Sequence, residues 1–249
     1  MPLLDVRAVD VRFGGVHALQ DVDVDVEPGM VTGLIGPNGA GKTTLFNVIS
    51  GLQPPTAGEL RFEERDITNV RAFRRSRLGI GRTFQRLEVF GSLTVRDNLR
   101  VAAEIRYSWN VDDQDPDKIA DEILKRVRLT HVAEERADSL PTGLMRIVEL
   151  GRALAVRPHL LLLDEPSSGL SEAETDLLAE LLEELAGEGL AILLVEHDVE
   201  LVMRVCKRIY VLDFGRIIAV GTPDEIKANS AVQAAYRGTG TVETGAFEA

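Results

Sequence analysis

The chain has 249 residues with 45% apolar content, which suits one large domain or a core with a small lobe and is ample for a globular interior. Its 40 acidic residues against 28 lysines and arginines give a net charge of −12, which argues against a nucleic-acid binder and against direct adhesion to anionic lipid. The single cysteine, Cys206, excludes an intrachain disulfide and fits a reducing cytoplasm. Asp5 and Arg7 near the N-terminus predict no secretory signal, and no apolar run approaches the ~20 residues of a membrane-spanning helix.

In chain order, residues 6–13 read as a strand. Asp21-Val22-Asp23-Val24-Asp25-Val26 alternates strictly, the pattern of a half-buried antiparallel strand. Residues 60–62 and Ile67 add strand-like pieces, which together predict a small antiparallel sheet. Continuous apolar runs at 30–35, 160–163, 190–195 and 209–212 read as parallel strands buried on both faces, with a further strand-like piece at 80–84. Helical stretches at 43–50, 144–155, 172–186 and 199–206 alternate with them, which predicts an α/β layered core. Residues 94–155 are mostly helical and read as a lobe inserted into that core. Within it, Asp112-Asp113-Gln114-Asp115-Pro116-Asp117 reads as a solvated acidic connection. The Gly-, Thr- and Glu-rich residues 238–249 read as a loose tail.

Gly36-Pro37-Asn38-Gly39-Ala40-Gly41-Lys42-Thr43 fits the phosphate-loop pattern G-x-x-x-x-G-K-[ST] at every fixed position, between an expected strand and an expected helix. Its glycines let backbone N–H groups turn around an anion, and the helix N-terminus adds a favourable dipole. Lys42 would reach the β- and γ-phosphates of a nucleoside triphosphate, and the Thr43 hydroxyl would hold Mg²⁺. The buried strand at 160–163 ends in Asp164-Glu165. Asp164 is placed to hold Mg²⁺ through water, and Glu165 to orient and deprotonate the attacking water. His197 follows another buried strand, at the carboxyl edge where ligands sit in open parallel sheets, and could touch the γ-phosphate. Gln85 follows residues 80–84 and could offer its amide to Mg²⁺ or water.

These elements, in this order from about Leu3 to about Tyr236, resemble the ATP-binding cassette (ABC) ATPases. The resemblance implies a P-loop NTPase core with a parallel sheet, a small antiparallel β subdomain and an inserted helical lobe. It divides residues 1–237 into a core of about 1–93 and 156–237 and a lobe of about 94–155. It assigns Phe13 to stacking on adenine and Gly36, Pro37, Asn38, Gly39, Ala40, Gly41, Lys42, Thr43 and Thr44 to the Walker A loop. Gln85 falls on the Q-loop, Asp164 and Glu165 on the Walker B aspartate and catalytic glutamate, Ser168-Gly169-Leu170-Ser171 on the D-loop, and His197 on the switch histidine. ATP and Mg²⁺ are the implied cofactors. The implied partners are transmembrane permease subunits, a second cassette and a solute-binding protein, on the cytoplasmic face of the plasma membrane and without nucleic acid.

Arg12-Phe13-Gly14-Gly15, Gly81-Arg82-Thr83-Phe84-Gln85, Leu93-Thr94-Val95-Arg96-Asp97-Asn98-Leu99 and Val195-Glu196-His197-Asp198 resemble the larger cassette of branched-chain amino acid importers. The lipopolysaccharide-export ATPases look similar over the same segments, and a soluble or regulatory cassette protein with weak turnover is a further alternative. Phe13 stacking leaves GTP open beside ATP.

The family's signature loop, close to Leu-Ser-Gly-Gly-Gln, corresponds here to Leu140-Pro141-Thr142-Gly143-Leu144. Proline in place of serine removes a hydroxyl and an N–H that would meet a γ-phosphate bound by the other chain of a head-to-tail dimer. Ser171 in place of the D-loop aspartate weakens the expected dimer contacts. Either Thr142 substitutes for the serine, or a different cassette completes the better site. The cluster Arg71, Arg74, Arg75, Arg77, Arg82 and Arg86 reads as a solvated helix face, or as a surface near a membrane partner. Val89 and Phe90 read as apolar anchors of the coupling groove or as residues buried within the lobe.

Overall fold

The computed structural model describes residues 1–109 and 114–237. The expected tail at 238–249, and Asp112 and Asp113 of the acidic connection, lie outside the described residues. In chain order the elements are β1 (Leu4–Phe13), β2 (Val16–Val26), β3 (Val31–Ile35), α1 (Lys42–Ser50), β4 (Ala57–Phe62) and β5 (Arg65–Asp66). Next come α2 (Ala72–Arg77), β6 (Ile80–Arg82), α3 (Val95–Tyr107), α4 (Pro116–Arg126), α5 (Thr142–Ala155), β7 (Leu160–Asp164) and α6 (Glu172–Gly187). The order closes with β8 (Ala191–Val195), α7 (Val199–Val205), β9 (Arg208–Asp213), β10 (Arg216–Gly221), α8 (Pro223–Lys227) and α9 (Ser230–Arg237).

Two sheets organise the chain. The first is antiparallel in the order β2-β1-β4-β5, and the second runs β10-β9-β3-β8-β7-β6. Within the second, the pairs β9–β3, β3–β8, β8–β7 and β7–β6 are parallel and β10 is antiparallel to β9. The period-2 geometry of a strand splits each central strand between two cores. Leu160 and Leu162 join the antiparallel sheet and Phe46 of α1 in one core. Leu161 and Leu163 join α6, α7 and the helices α3 to α5 in the other. This is why runs such as Leu160-Leu161-Leu162-Leu163 are apolar at every position rather than at alternate ones. In β2, by contrast, Val22, Val24 and Val26 are buried while Asp21 and Asp23 face out. Asp25 accepts hydrogen bonds from Tyr210 Oη at 2.8 Å and Arg208 Nη1 at 2.7 Å, which ties the two sheets together.

Helices α3, α4 and α5 pack on one another, with Leu99 and Ile123 meeting at Gly151 of α5. Two of them open at local start signals. Thr94 caps α3 by accepting from Asp97 N, and Asp115 with Pro116 opens α4.

Three features differ from the sequence expectation. Strand β10 is an added antiparallel edge whose residues are only half buried, so it lacks the continuous apolar run that marks its neighbours. Ile67 lies just past the two-residue β5 and is buried there as a core residue. The arginine cluster is not one solvated face: Arg71, Arg74, Arg77 and Arg86 are exposed, but Arg75 is only 1% exposed and the Arg82 side chain only 8%. A guanidinium has five N–H donors in a fixed fork, so it can satisfy several carbonyls that have no ladder partner. Arg75 donates to the carbonyls of Val48, Ile49, Ile67, Thr68 and Val70 at 2.7–3.1 Å, joining the end of α1 to the turn after β5. Burial pulls its pKa down to about 10, so it keeps its charge at neutral pH. Arg75→Met should lower the unfolding free energy by about 2–4 kcal/mol, because buried carbonyls lose their donors. Urea unfolding would show this as a lower midpoint, and an unchanged midpoint would reject the assignment.

Candidate active site

The phosphate-loop sequence spans the turn between β3 and α1. Its shape is set by backbone packing. A Cβ on Gly36, at φ +150, would lie 1.9 Å from Leu212 O, and one on Gly41, at φ +114, would lie 2.7 Å from Ala18 O. Only glycine fits where β9 and β2 press this closely on the loop. Gly215 N donates to Ala40 O at 2.9 Å and fixes the loop from the β9–β10 turn. Lys42, 7% exposed, donates from Nζ to the carbonyls of Gly36 at 2.6 Å and Pro37 at 3.0 Å. Burial lowers its pKa, while the nearby Glu165 and Asp164 carboxylates work against that shift.

Opposite the loop, β7 and β8 deliver the acidic half. Asp164 ends β7 and is 2% exposed. Glu165 follows with φ 53, a left-handed conformation that costs a non-glycine residue about 1–3 kcal/mol and turns the side chain out of the strand direction. Its N–H donates to Val195 O at 2.9 Å, so the turn is anchored on β8. Glu165 Oε1 lies 2.8 Å from His197 Nε2, and Gln85 Nε2 donates to the same carboxylate at 3.4 and 3.5 Å. Glu165, His197 and Gln85 therefore meet at one point although they lie far apart in sequence.

These side chains and the loop line one cleft of about 640 Å³, together with Val16, His17, Ala18, Gln20, Asn38, Gly39, Ala40, Gly41, Thr43, Thr44, Phe214 and Gly215. Phe13 is half exposed at the end of β1, paired with Val16, and it is Val16 that lines the cleft. Leu140, Pro141, Thr142 and Gly143 are not brought to this cleft. Pro141 is the N-cap of α5 and Thr142 its first residue. Gly143 packs against Leu170 and the carbonyl of Gly169. Ser171 caps α6 in a reciprocal capping box with Glu174, a local role for the residue where the sequence comparison expected an aspartate.

Three buried ionic residues of the site were not read as such from the sequence. Arg82 donates to Asn47 Oδ1 at 2.8 Å, Ser50 Oγ at 2.9 Å and Asp164 Oδ2 at 3.4 Å, and lies over the rings of Phe46 and Phe84. Burial raises the Asp164 pKa and lowers that of Arg82, and on each partner this outweighs the attraction between them. Glu196, 5% exposed, accepts from the N–H groups of Ser167 at 2.7 Å and His197 at 3.0 Å, which joins the turns after β7 and β8. Burial pushes its pKa up. Glu149 of α5 accepts from Phe84 N at 3.1 Å, while Arg146 donates to the carbonyls of Phe84 at 2.9 Å and Gln85 at 2.5 Å. Arg152 of α5 donates to Glu88 O and lies over the Phe90 ring at 4.4 Å. The loop carrying Gln85 is thus held by α5. Phe90 is 44% exposed, and Val89 packs against the core. The signal that could have singled out Glu149 is an acid set between the apolar Val148 and Leu150, whereas Glu196 opens the polar run Glu196-His197-Asp198 and carries no such signal.

Among the described residues no group of three or more His, Cys, Asp and Glu side chains could hold a metal ion. The oxygen donors of Thr43, Gln85 and Asp164 suit a hard cation that keeps water and phosphate ligands, as Mg²⁺ does. Asp164 is buried beside the Arg82 guanidinium behind the cleft lining, and Thr43 is exposed in the cleft. Removing the positive partner leaves a buried carboxylate alone. Arg82→Met should therefore lower the unfolding free energy by about 3–5 kcal/mol, and adding Asp164→Asn should recover part of it. Urea unfolding of the four chains of this double-mutant cycle checks the coupling, and strict additivity would reject it.

Residues 19–168 match the family model described as ABC transporter, and residues 216–236 match that of the branched-chain amino acid ATP-binding cassette transporter. The chain is 37% identical to the high-affinity branched-chain amino acid transport ATP-binding protein BraF of Pseudomonas aeruginosa, over 95% of this chain and 98% of that one. It is 38% identical to LivG of Salmonella typhimurium, named for the same transport, with the same coverage. The lipopolysaccharide export ATP-binding protein LptB of Escherichia coli is 34% identical, over 96% of this chain and 98% of that one. The crystal structure of the ADP conformation of an ATP-binding cassette of an ABC transporter superposes with a TM-score of 0.85 at 32% identity, covering 96% of this chain and 99% of that one. With Lys42, Glu165 and His197 on one cleft of this fold, the chain belongs to the ABC transporter family as an ATP-binding, ATP-hydrolysing cassette.

Proposed function

We propose that this cassette powers a membrane importer of branched-chain amino acids or similar small solutes, docked on the cytoplasmic face through permease subunits. The observation that carries the catalytic reading is the meeting of Glu165, His197 and Gln85 across the cleft from Lys42. The solute reading is supported by the match of residues 216–236 and by the named transport of the relatives BraF and LivG. No helix among the described residues is long and apolar enough to cross a membrane, so attachment falls to partner subunits. A solute-binding protein would complete the importer.

In the proposed mechanism the N–H groups of the loop and Lys42 take the β- and γ-phosphates, and Thr43, Gln85 and Asp164 offer oxygens to the accompanying Mg²⁺. Bound with the nucleotide, Mg²⁺ neutralises phosphate charge. Glu165 takes the proton of the attacking water. His197, in contact with Glu165, reports the γ-phosphate, and Gln85 carries the change to α5 through the Arg146 contacts. We further propose that a second, different cassette supplies the signature loop facing this site. Pro141 makes no side-chain capping bond and offers no N–H, and Gly143 is already packed against Leu170 of its own chain.

Glu165→Gln should retain ATP binding and lose about 10²–10⁴ in turnover, whereas Lys42→Ala should lose tight ATP binding. Equilibrium binding and phosphate release separate the two. Glu165→Gln alone should stay monomeric in sedimentation with ATP·Mg²⁺, and a nucleotide-driven homodimer would reject the second-cassette reading. Cells lacking this chain should lose uptake of labelled leucine, isoleucine and valine, and the Lys42→Ala chain should not restore it. Intact uptake would reject the solute assignment.

A further inference from the structure

The turn between β9 and β10 holds an exposed aromatic that the catalytic reading does not use. Phe214 is 83% exposed, although aromatic side chains of this size dominate buried cores. Its φ of 42 is left-handed, which is an outlier for a bulky residue. Phe214 thus combines an unfavourable backbone with an unfavourable exposure. The turn that imposes both is tightly fixed. Gly215 N donates to Ala40 O of the phosphate loop at 2.9 Å, Gln20 N donates to Gly215 O at 2.8 Å, and Gln20 Nε2 donates to Phe214 O at 3.3 Å. Arg216 Nη2 donates to Gln20 Oε1 at 2.9 Å and closes the set. The ring is therefore carried on a frame bonded directly to the phosphate loop, and it lines the same cleft.

The lining of that cleft is of two kinds. Lys42, Thr43, Gln85, Glu165 and His197 are suited to phosphates and water, whereas Val16, Ala18 and Phe214 are apolar. A nucleotide likewise joins a charged part and an apolar one.

Resting on the reading of this cleft as an ATP site, we propose that Phe214 is an aromatic contact for the nucleotide base, holding its π face within the apolar part of the lining that Val16 and Ala18 share. A purine offers the larger face to such a ring, and the strained turn is compensated on nucleotide binding rather than on folding. The contact involves the base alone, so it leaves the triphosphate interactions unchanged.

The test measures dissociation constants of ATP and of inorganic tripolyphosphate, each with Mg²⁺, for the full chain and for Phe214→Ala, Phe214→Gly and Phe214→Trp. Phe214→Ala and Phe214→Gly should weaken ATP at least about fivefold, the low end for one base–aromatic stack, and leave tripolyphosphate unchanged. Phe214→Trp should restore ATP binding. Phe214→Gly should fold with no lower thermal midpoint, because glycine accepts the positive φ, which separates lost binding from lost structure. Equal ATP affinity in all four chains would overturn the proposal, as would a parallel loss of ATP and tripolyphosphate. Failure of the unsubstituted chain to bind ATP would instead reject the nucleotide reading on which the proposal rests.

Discussion

Contact of backbone against backbone around the phosphate loop is the constraint on which the rest of the structure depends. Gly36 touches the carbonyl of Leu212 and Gly41 that of Ala18, so the loop is pressed between β9 and β2 with no room for a side chain. Once β3 is fixed in this way, the order β9-β3-β8-β7-β6 sets out the carboxyl ends of neighbouring parallel strands in a row. Each end contributes one side chain to the lining of the cleft: Phe214 after β9, Lys42 after β3, His197 after β8, Glu165 after β7 and Gln85 after β6. The site is a property of strand order, and residues up to 196 positions apart, such as Arg216 and Gln20, become neighbours through it.

Turns and element ends around both sheets have few ladder partners of their own, and buried ions bond to their backbone. Arg75 gathers five carbonyls, Glu196 collects the N–H groups of two turns, and Glu149 and Arg146 hold the backbone at Phe84 and Gln85. Burying such groups is unfavourable unless their hydrogen-bonding capacity is used, and here it is used on backbone atoms of turns and helix ends. The same arrangement makes the Gln85 loop depend on α5, so the position of one cleft-lining side chain is set from outside the parallel sheet.

The strands of the parallel sheet were legible because burial on both faces leaves unbroken apolar runs, and the phosphate loop because its pattern is local and exacting. Asp164-Glu165 and His197 were legible as polar residues ending such runs. What the sequence hid is what depends on distant partners. Arg75 and Arg82 look like members of a basic surface cluster, and only the third dimension sets Val48, Ile67 and Asp164 around them. Strand β10 escaped notice because an edge strand with one covered face carries half the apolar signal. Phe214 carried no signal, because an aromatic in a turn after a strand is ordinary until its φ and exposure are known.

Lys42 brings out a last consequence. Its amine is already held by the carbonyls of Gly36 and Pro37, so the lysine's four-carbon stem is ordered within the folded loop. Ordering such a side chain at the moment of binding would cost up to ~2 kcal/mol of rotamer entropy. In this chain the side chain is ordered during folding, and on the proposed reading an arriving phosphate exchanges one set of oxygen acceptors for another. The proposed loop is then a preformed receptor, and capture of its ligand an act of substitution more than of assembly.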